Sequence, residues 1–179
     1  MNRLTGILLA VLLLLPAAAA AQEVPVAEVG TNFGLVVQSG GGQTLTHFGI
    51  PGQGILGQPT VYATFFTADV YMIEPQLALN IISGGGSTFT TLGLGGQFGY
   101  LFDGPMMNSA FVAGSFQFQS VSSSGNSSND VSLGGMFGYR ILIGSTAAVR
   151  LEAGYHRWFD NHLNEFSFGV GLGALIHRR

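Results

Sequence analysis

The segment Val131–Ile143 (VSLGGMFGYRILI) alternates residue by residue between two kinds of surface. Val131, Leu133, Gly135, Phe137, Tyr139, Ile141 and Ile143 form one set, and Ser132, Gly134, Met136, Gly138, Arg140 and Leu142 form the other. A period of two is that of a β-strand, whose successive side chains leave opposite faces. Its length also exceeds the roughly 9–11 residues that a tilted strand needs to cross a bilayer. The pattern predicts a strand with one face against lipid and the other in a sheltered interior.

The same approach predicts seven further strands: Ala27–Gln38, Gln58–Thr67, Asp69–Ile82, Ser87–Phe102, Ser109–Ser120, Ala147–Phe159 and Asn164–His177. Gln58–Thr67 (QPTVYATFFT) is apolar on both sides, so its facing stays open. Pro75 cannot donate to a ladder, which predicts a local bulge. Ser39–Gly57, rich in glycine, and the polar Val121–Asp130 read as the two longest loops. Tight turns are expected near Ala68, at Asp103-Gly104-Pro105 and at Gly144-Ser145. An even number of strands joined by alternating outer loops and short turns predicts an all-β, eight-stranded antiparallel up-and-down transmembrane β-barrel. Aromatic residues fall near both strand ends, with Tyr71, Tyr100, Phe102 and Tyr139 at one and Phe116, Phe118, Tyr155, Phe159, Phe166 and Phe168 at the other. Two interfacial girdles are the expected result.

The first residues carry a different signal. Arg3, the apolar run Ile7–Leu15 and the small-residue tail ending Ala19-Ala20-Ala21 read as a cleaved signal peptide over 1–21, leaving a barrel domain over 22–179. The apolar run is too short for a spanning helix. The chain has no cysteine, which excludes a lipid-anchored lipoprotein and a disulfide scaffold. Charged residues make up 8 % of the chain, against about 25 % in an ordinary soluble domain, and none is lysine. So few charges would leave a water-exposed surface hard to dissolve, whereas a wall in lipid requires few. The mildly acidic balance makes a nucleic-acid partner unexpected.

Energy decides which face meets lipid. An arginine on the lipid side near the midplane costs about 2–4 kcal/mol. Glu74, Arg140, Arg150 and Glu152 all share their face with Gly, Ser and Gln, so that face lines the lumen. A three-residue loop, Gly144–Thr146, would set Arg140 directly opposite Arg150. Two like charges so placed need carboxylates, and Glu152 on the diagonal with Glu74 across the lumen are the expected ones. The expectation is a buried ionic network of Glu74, Arg140, Arg150 and Glu152 that plugs the barrel, since eight strands leave a lumen that side chains can fill.

Other signals carry less. Gly52-x-Gly54-x-x-Gly57 is followed by Gln58-Pro59 where a nucleotide-binding helix would start, and Asn126-Ser127-Ser128 is a glycosylation triplet of the kind a serine-rich loop produces by chance. His156 and Trp158 read as a lumen-filling aromatic pair. Arg157 has the opposite parity and sits near the outer rim, where it is a candidate contact for lipopolysaccharide phosphates. No metal site, cofactor or catalytic residue is expected.

Stretches such as Gly95-Gly96-Gln97-Phe98-Gly99-Tyr100, Gly134-Gly135-Met136-Phe137-Gly138-Tyr139-Arg140 and Arg150-Leu151-Glu152-Ala153-Gly154-Tyr155 resemble the small outer-membrane β-barrel family of opacity-type proteins and the OmpA membrane domain. The resemblance covers the whole mature chain. It implies a monomeric, non-enzymatic barrel in the bacterial outer membrane that stabilises the envelope, adheres to surfaces or presents loops. The implied partners are outer-membrane lipids, lipopolysaccharide and the barrel-assembly machinery. Family members typically end the last strand on an aromatic residue, whereas this chain ends His177-Arg178-Arg179. The alternatives are a narrow porin and a lipid A-modifying enzyme. Enzymes of the second kind resembling this chain use a lipid-facing His-x-Ser pair, and here Trp158 follows His156 in the serine position.

Overall fold

The computed structural model describes residues 25–40, 42–49, 60–84, 87–123 and 126–177; the predicted signal segment, the Gly52–Gly57 string and Arg178-Arg179 lie outside them. Nine strand segments follow one another: β1 (Pro25–Gly40), β2 (Gln43–Gly49), β3 (Thr60–Thr67), β4 (Tyr71–Gly84), β5 (Ser87–Leu101), β6 (Ser109–Ser123), β7 (Asn126–Ile143), β8 (Ala147–Trp158) and β9 (Asn164–His177). From β3 onward each pairs antiparallel with the next, and β9 returns to pair with β1 from Ser39↔Asn164 to Pro25↔His177. The sheet therefore closes on itself. On its other side β1 pairs with β3 over Ala27–Thr31 and with β2 over Gly34–Gly40, so β2 and β3 are two lengths of one stave. Gly34 pairs with Gly49 and Thr31 with Val61. The barrel has eight staves.

Three expectations are corrected. Ser39–Gly57 is not loop throughout, because Gln43–Gly49 pairs with β1. Nor is Val121–Asp130, since β6 runs to Ser123, β7 starts at Asn126, and Val121 pairs with Ser128. Both hairpins continue beyond the apolar wall. Thr44 and Thr46 are exposed, and over Asn126–Asn129 residues of both parities are exposed, so there both faces meet water and the alternation that marks a strand is lost. At Pro75 there is no bulge: it pairs with Gly96 in an unbroken β4–β5 register. The cost shows on the other side, where the β3–β4 ladder skips Ala63/Pro75 and Thr64/Glu74 yet keeps its register, as a missing N–H requires. The β3–β4 turn also delays β4 to Tyr71, because Ala68 and Asp69 take φ of 47° and 62°.

The alternation partitions the side chains. On β3, Tyr62 is buried while Val61 and Phe65 are about half exposed, which settles the facing of this segment. Around the barrel Phe98, Phe116, Leu133, Phe137, Leu151 and Phe168 stand outward with 47–63 % exposure, a continuous apolar belt far larger than a soluble monomer shows. Inside, Glu28, Asn32, Glu74, Gln97, Arg140 and Arg150 are buried. Tyr71, Phe98, Tyr100 and Phe102 pack ring to ring at the terminal end of the wall, and Tyr155 packs on Phe166 toward the other.

Inward glycines make room for the large side chains. At Gly138 a Cβ would lie 2.5 Å from both the Phe111 ring and the Leu151 carbonyl, whereas at the outward Gly114 it would meet nothing within 4 Å. Overpacking typically costs about 1–3 kcal/mol. Gly138→Ala is expected to lower the urea midpoint of the refolded barrel correspondingly, and Gly114→Ala to leave it within about 0.5 kcal/mol. Equal midpoints for the two variants would contradict this packing.

Candidate functional site

The charged residues converge on the half of the lumen nearest the chain termini. The β7–β8 turn has three residues, Gly144–Thr146, and its register sets Arg140 opposite Arg150. The two arginines then diverge. Arg140 Nε donates to Glu28 Oε2 at 2.7 Å and its Nη1 to the Pro105 carbonyl at 2.8 Å. Arg150 Nη1 donates to Glu74 Oε2 at 2.5 Å, while its Nη2 lies 2.6 Å from Glu152 Oε1, a charge contact without hydrogen-bond alignment. Arg150 is also 4.0 Å from Glu28 Oε1.

Each carboxylate is held a second time. Tyr62 OH donates to Glu28 at 2.8 Å, Gln76 Nε2 to Glu74 at 2.8 Å, Thr64 Oγ1 to Glu74 at 2.5 Å, and Asn32 Nδ2 to Glu152 at 3.2 Å. The Arg150 guanidinium lies 4.8 Å from the Tyr62 ring centroid and 5.0 Å from that of Phe111, and Arg140 lies 5.0 Å from Phe66. Planar, weakly hydrated guanidinium groups suit such stacking. All five charged side chains are at most 4 % exposed.

Glu28 is the residue that the sequence-based expectation left out. It is the partner of Arg140, so Glu74 and Glu152 are not the only carboxylates serving the pair. Its place on the polar face of β1 was legible; its height against Arg140 was not, because that depends on how β1 docks on β9. Nearer the far end, His156 and Trp158 also point inward, but as polar partners and not merely as packing: His156 Nε2 lies 2.6 Å from Ser115 Oγ, and Trp158 Nε1 donates to Glu165 Oε2 at 2.9 Å. Arg157 is half-buried, with Nη1 donating to the His162 carbonyl and to Asn164 Oδ1, both at 2.9 Å. The neighbouring loop is clamped by Asp130, which accepts from the backbone of Asp160 and Asn161. Among the described residues no group of three or more His, Cys, Asp or Glu is placed to hold a metal ion.

A closed eight-stave barrel with an apolar exterior and charges within is the fold of the small outer-membrane β-barrels. Neisserial surface protein A matches with a TM-score of 0.60 at 12 % identity, over 84 % of this chain and 97 % of that one. OprG from Pseudomonas aeruginosa matches at 0.55 and 10 % identity, over 86 % and 97 %. Ail, the attachment invasion locus protein of Yersinia pestis, in complex with the heparin analogue sucrose octasulfate, matches at 0.52 and 8 % identity, over 84 % and 97 %. No protein-family model and no curated protein matches the sequence.

Removing one member of a buried ion pair strands the other and costs about 3–5 kcal/mol. Arg150→Met, which strands Glu74 and Glu152 together, is expected to lower the urea midpoint of the refolded barrel more than Glu74→Gln does. Wild-type stability in Glu74→Gln would show that the contact carries no weight.

Proposed function

We propose that the chain is exported by its first 21 residues, inserts into the bacterial outer membrane as a monomeric barrel, and serves as a wall that presents its long hairpins outside the cell. The observation that carries this reading is the separation of the two faces. The apolar belt is outward, while Glu28, Glu74, Arg140, Arg150 and Glu152 are buried inside. In water that arrangement would expose the belt at great cost; in a bilayer it is the stable one. Arg157 is the outward-parity arginine, and the β8–β9 register puts it at the end of the wall, opposite Asn164. There an arginine costs only about 0–1 kcal/mol, and a guanidinium near the headgroups favours lipopolysaccharide phosphates.

The N-terminus on the periplasmic side orients the molecule. The β1–β2 and β6–β7 hairpins then point outward, and the turns at Ala68–Val70, Phe102–Asn108 and Gly144–Thr146 face the periplasm. Ail's description as an attachment protein supports adhesion or envelope support as the role of such hairpins. The interlocked arginines and carboxylates support a plugged lumen, because a pore at that level would break several charge contacts at once.

Membrane fractionation should place the chain with the outer membrane, with migration on gels that changes on boiling. Single cysteines at Thr44 and Ser122 should react with an impermeant maleimide on intact cells, and one at Met106 only after lysis. Planar bilayers should register no steady conductance. Recovery of the folded chain in the soluble periplasmic fraction would overturn this reading.

A further inference from the structure

On β8, His156 lies two inward positions beyond Glu152, and the register brings Gln97, Ser115, Gly134, His156 and Glu165 side by side on five consecutive strands, β5 to β9. The inward side chains of this row are ordered as nucleophilic chemistry requires. Ser115 Oγ is 2.6 Å from His156 Nε2, and the other ring nitrogen, Nδ1, is 3.8 Å from Glu165 Oε1. Glu165 is itself fixed through its second oxygen, which accepts from Gln38 Nε2 and Trp158 Nε1, each at 2.9 Å. Gly134 lies between serine and histidine, where any Cβ would run into the imidazole ring. The gap is what lets His156 reach across a whole strand to Ser115.

We propose that Ser115, His156 and Glu165 form an acyl-transfer site inside the barrel, with Gln97 as its oxyanion donor. A serine hydroxyl is a weak nucleophile until an adjacent base takes its proton and a third group orients that base. The Nδ1 to Oε1 separation is longer than a hydrogen bond, as such contacts often are before substrate binds. On the serine's other side, Gln97 Nε2 donates only to the weak acceptor Met136 Sδ at 3.4 Å, which leaves its amide available to a developing oxyanion. All three groups are buried, His156 and Glu165 at 0 % exposure and Ser115 at 7 %. In the next row toward the hairpin end, Gln117 Oε1 and Ser132 Oγ are buried without partners and suit the polar portion of a small ester.

In the step itself, Ser115 Oγ bonds to the acyl carbon as its proton passes to His156 Nε2. The C–O bond to the alcohol breaks, and the alcohol leaves with that proton. Water then attacks the acyl-serine, giving its proton to His156, and the carboxylic acid departs as Ser115 regains a proton. The site was hidden from sequence inspection because its nucleophile comes from β6 and its base from β8, two strands on, so no His-x-Ser pair marks it. It goes beyond the wall-and-hairpin role, which stands whether or not Ser115 reacts.

The test uses the full mature chain refolded in detergent micelles, with boiling-dependent migration as the check of folding for every sample. Diisopropyl fluorophosphate should phosphorylate Ser115 in the folded wild type and not in the boiled protein, with fluoride leaving; peptide mass spectrometry locates the adduct. Folded His156→Gln should label at least about 100-fold more slowly and Glu165→Gln about 10-fold more slowly, while Ser122→Ala on the exposed hairpin should label like wild type. Hydrolysis of p-nitrophenyl acetate should follow the same order. An unlabelled Ser115 in the folded wild type overturns the proposal without recourse to any variant, as does a labelling rate unchanged in folded His156→Gln.

Discussion

Closure of the backbone ladder is the constraint from which the rest of the molecule follows. In hydrocarbon an unpaired N–H or C=O has no water to turn to and costs several kcal/mol, so a sheet there must have no edge. The long β1–β9 pairing removes the edge that a linear meander would leave. Once the sheet is closed, every stave has an inside and an outside, and parity alone assigns each residue to one of them. The chain follows that assignment closely: most phenylalanines, leucines and valines outside, and Glu28, Glu74, Asp130, Arg140, Arg150, Glu152, His156 and Glu165 inside.

Most of this was legible because it depends on local periodicity. Strong alternation in Val131–Ile143 and Ala147–Phe159 fixed both strands, their facing and the three-residue turn, and from these came the side-by-side arginines. Gln58–Thr67 hid its facing because Tyr62, an inward residue, is as apolar as the outward Val61 and Phe65. The β6–β7 extension was hidden for the opposite reason: in water on both sides, serine and asparagine suit either face. At Pro75 a general rule about ladder donors gave way to the neighbouring staves, which hold the register across the gap.

The contacts across the lumen were much less accessible. Periodicity tells that Glu28, Glu74, Glu152 and Glu165 point inward, but their heights depend on the stagger accumulated around the barrel. Arg140 with Glu28, and Ser115 with His156, are products of that stagger. The glycines opposite bulky residues are a trace of it in the sequence. Gly134 and Gly138 lie where His156 and Phe111 cross, yet nothing local distinguishes them from the many glycines of the loops.

Arg140 and Glu28 are separated by 112 positions in the chain, and Arg150 and Glu74 by 76. Neither pair exists in any single hairpin. Until the first and last staves meet, these charges remain hydrated on one side of an open sheet, and the ordering of their side chains brings no return. Assembly is therefore all-or-none in its final stage. The interior acts as a latch whose cross-lumen pairs engage only when the circle is complete, and before that the charges keep only local contacts such as Arg150 with Glu152 on β8.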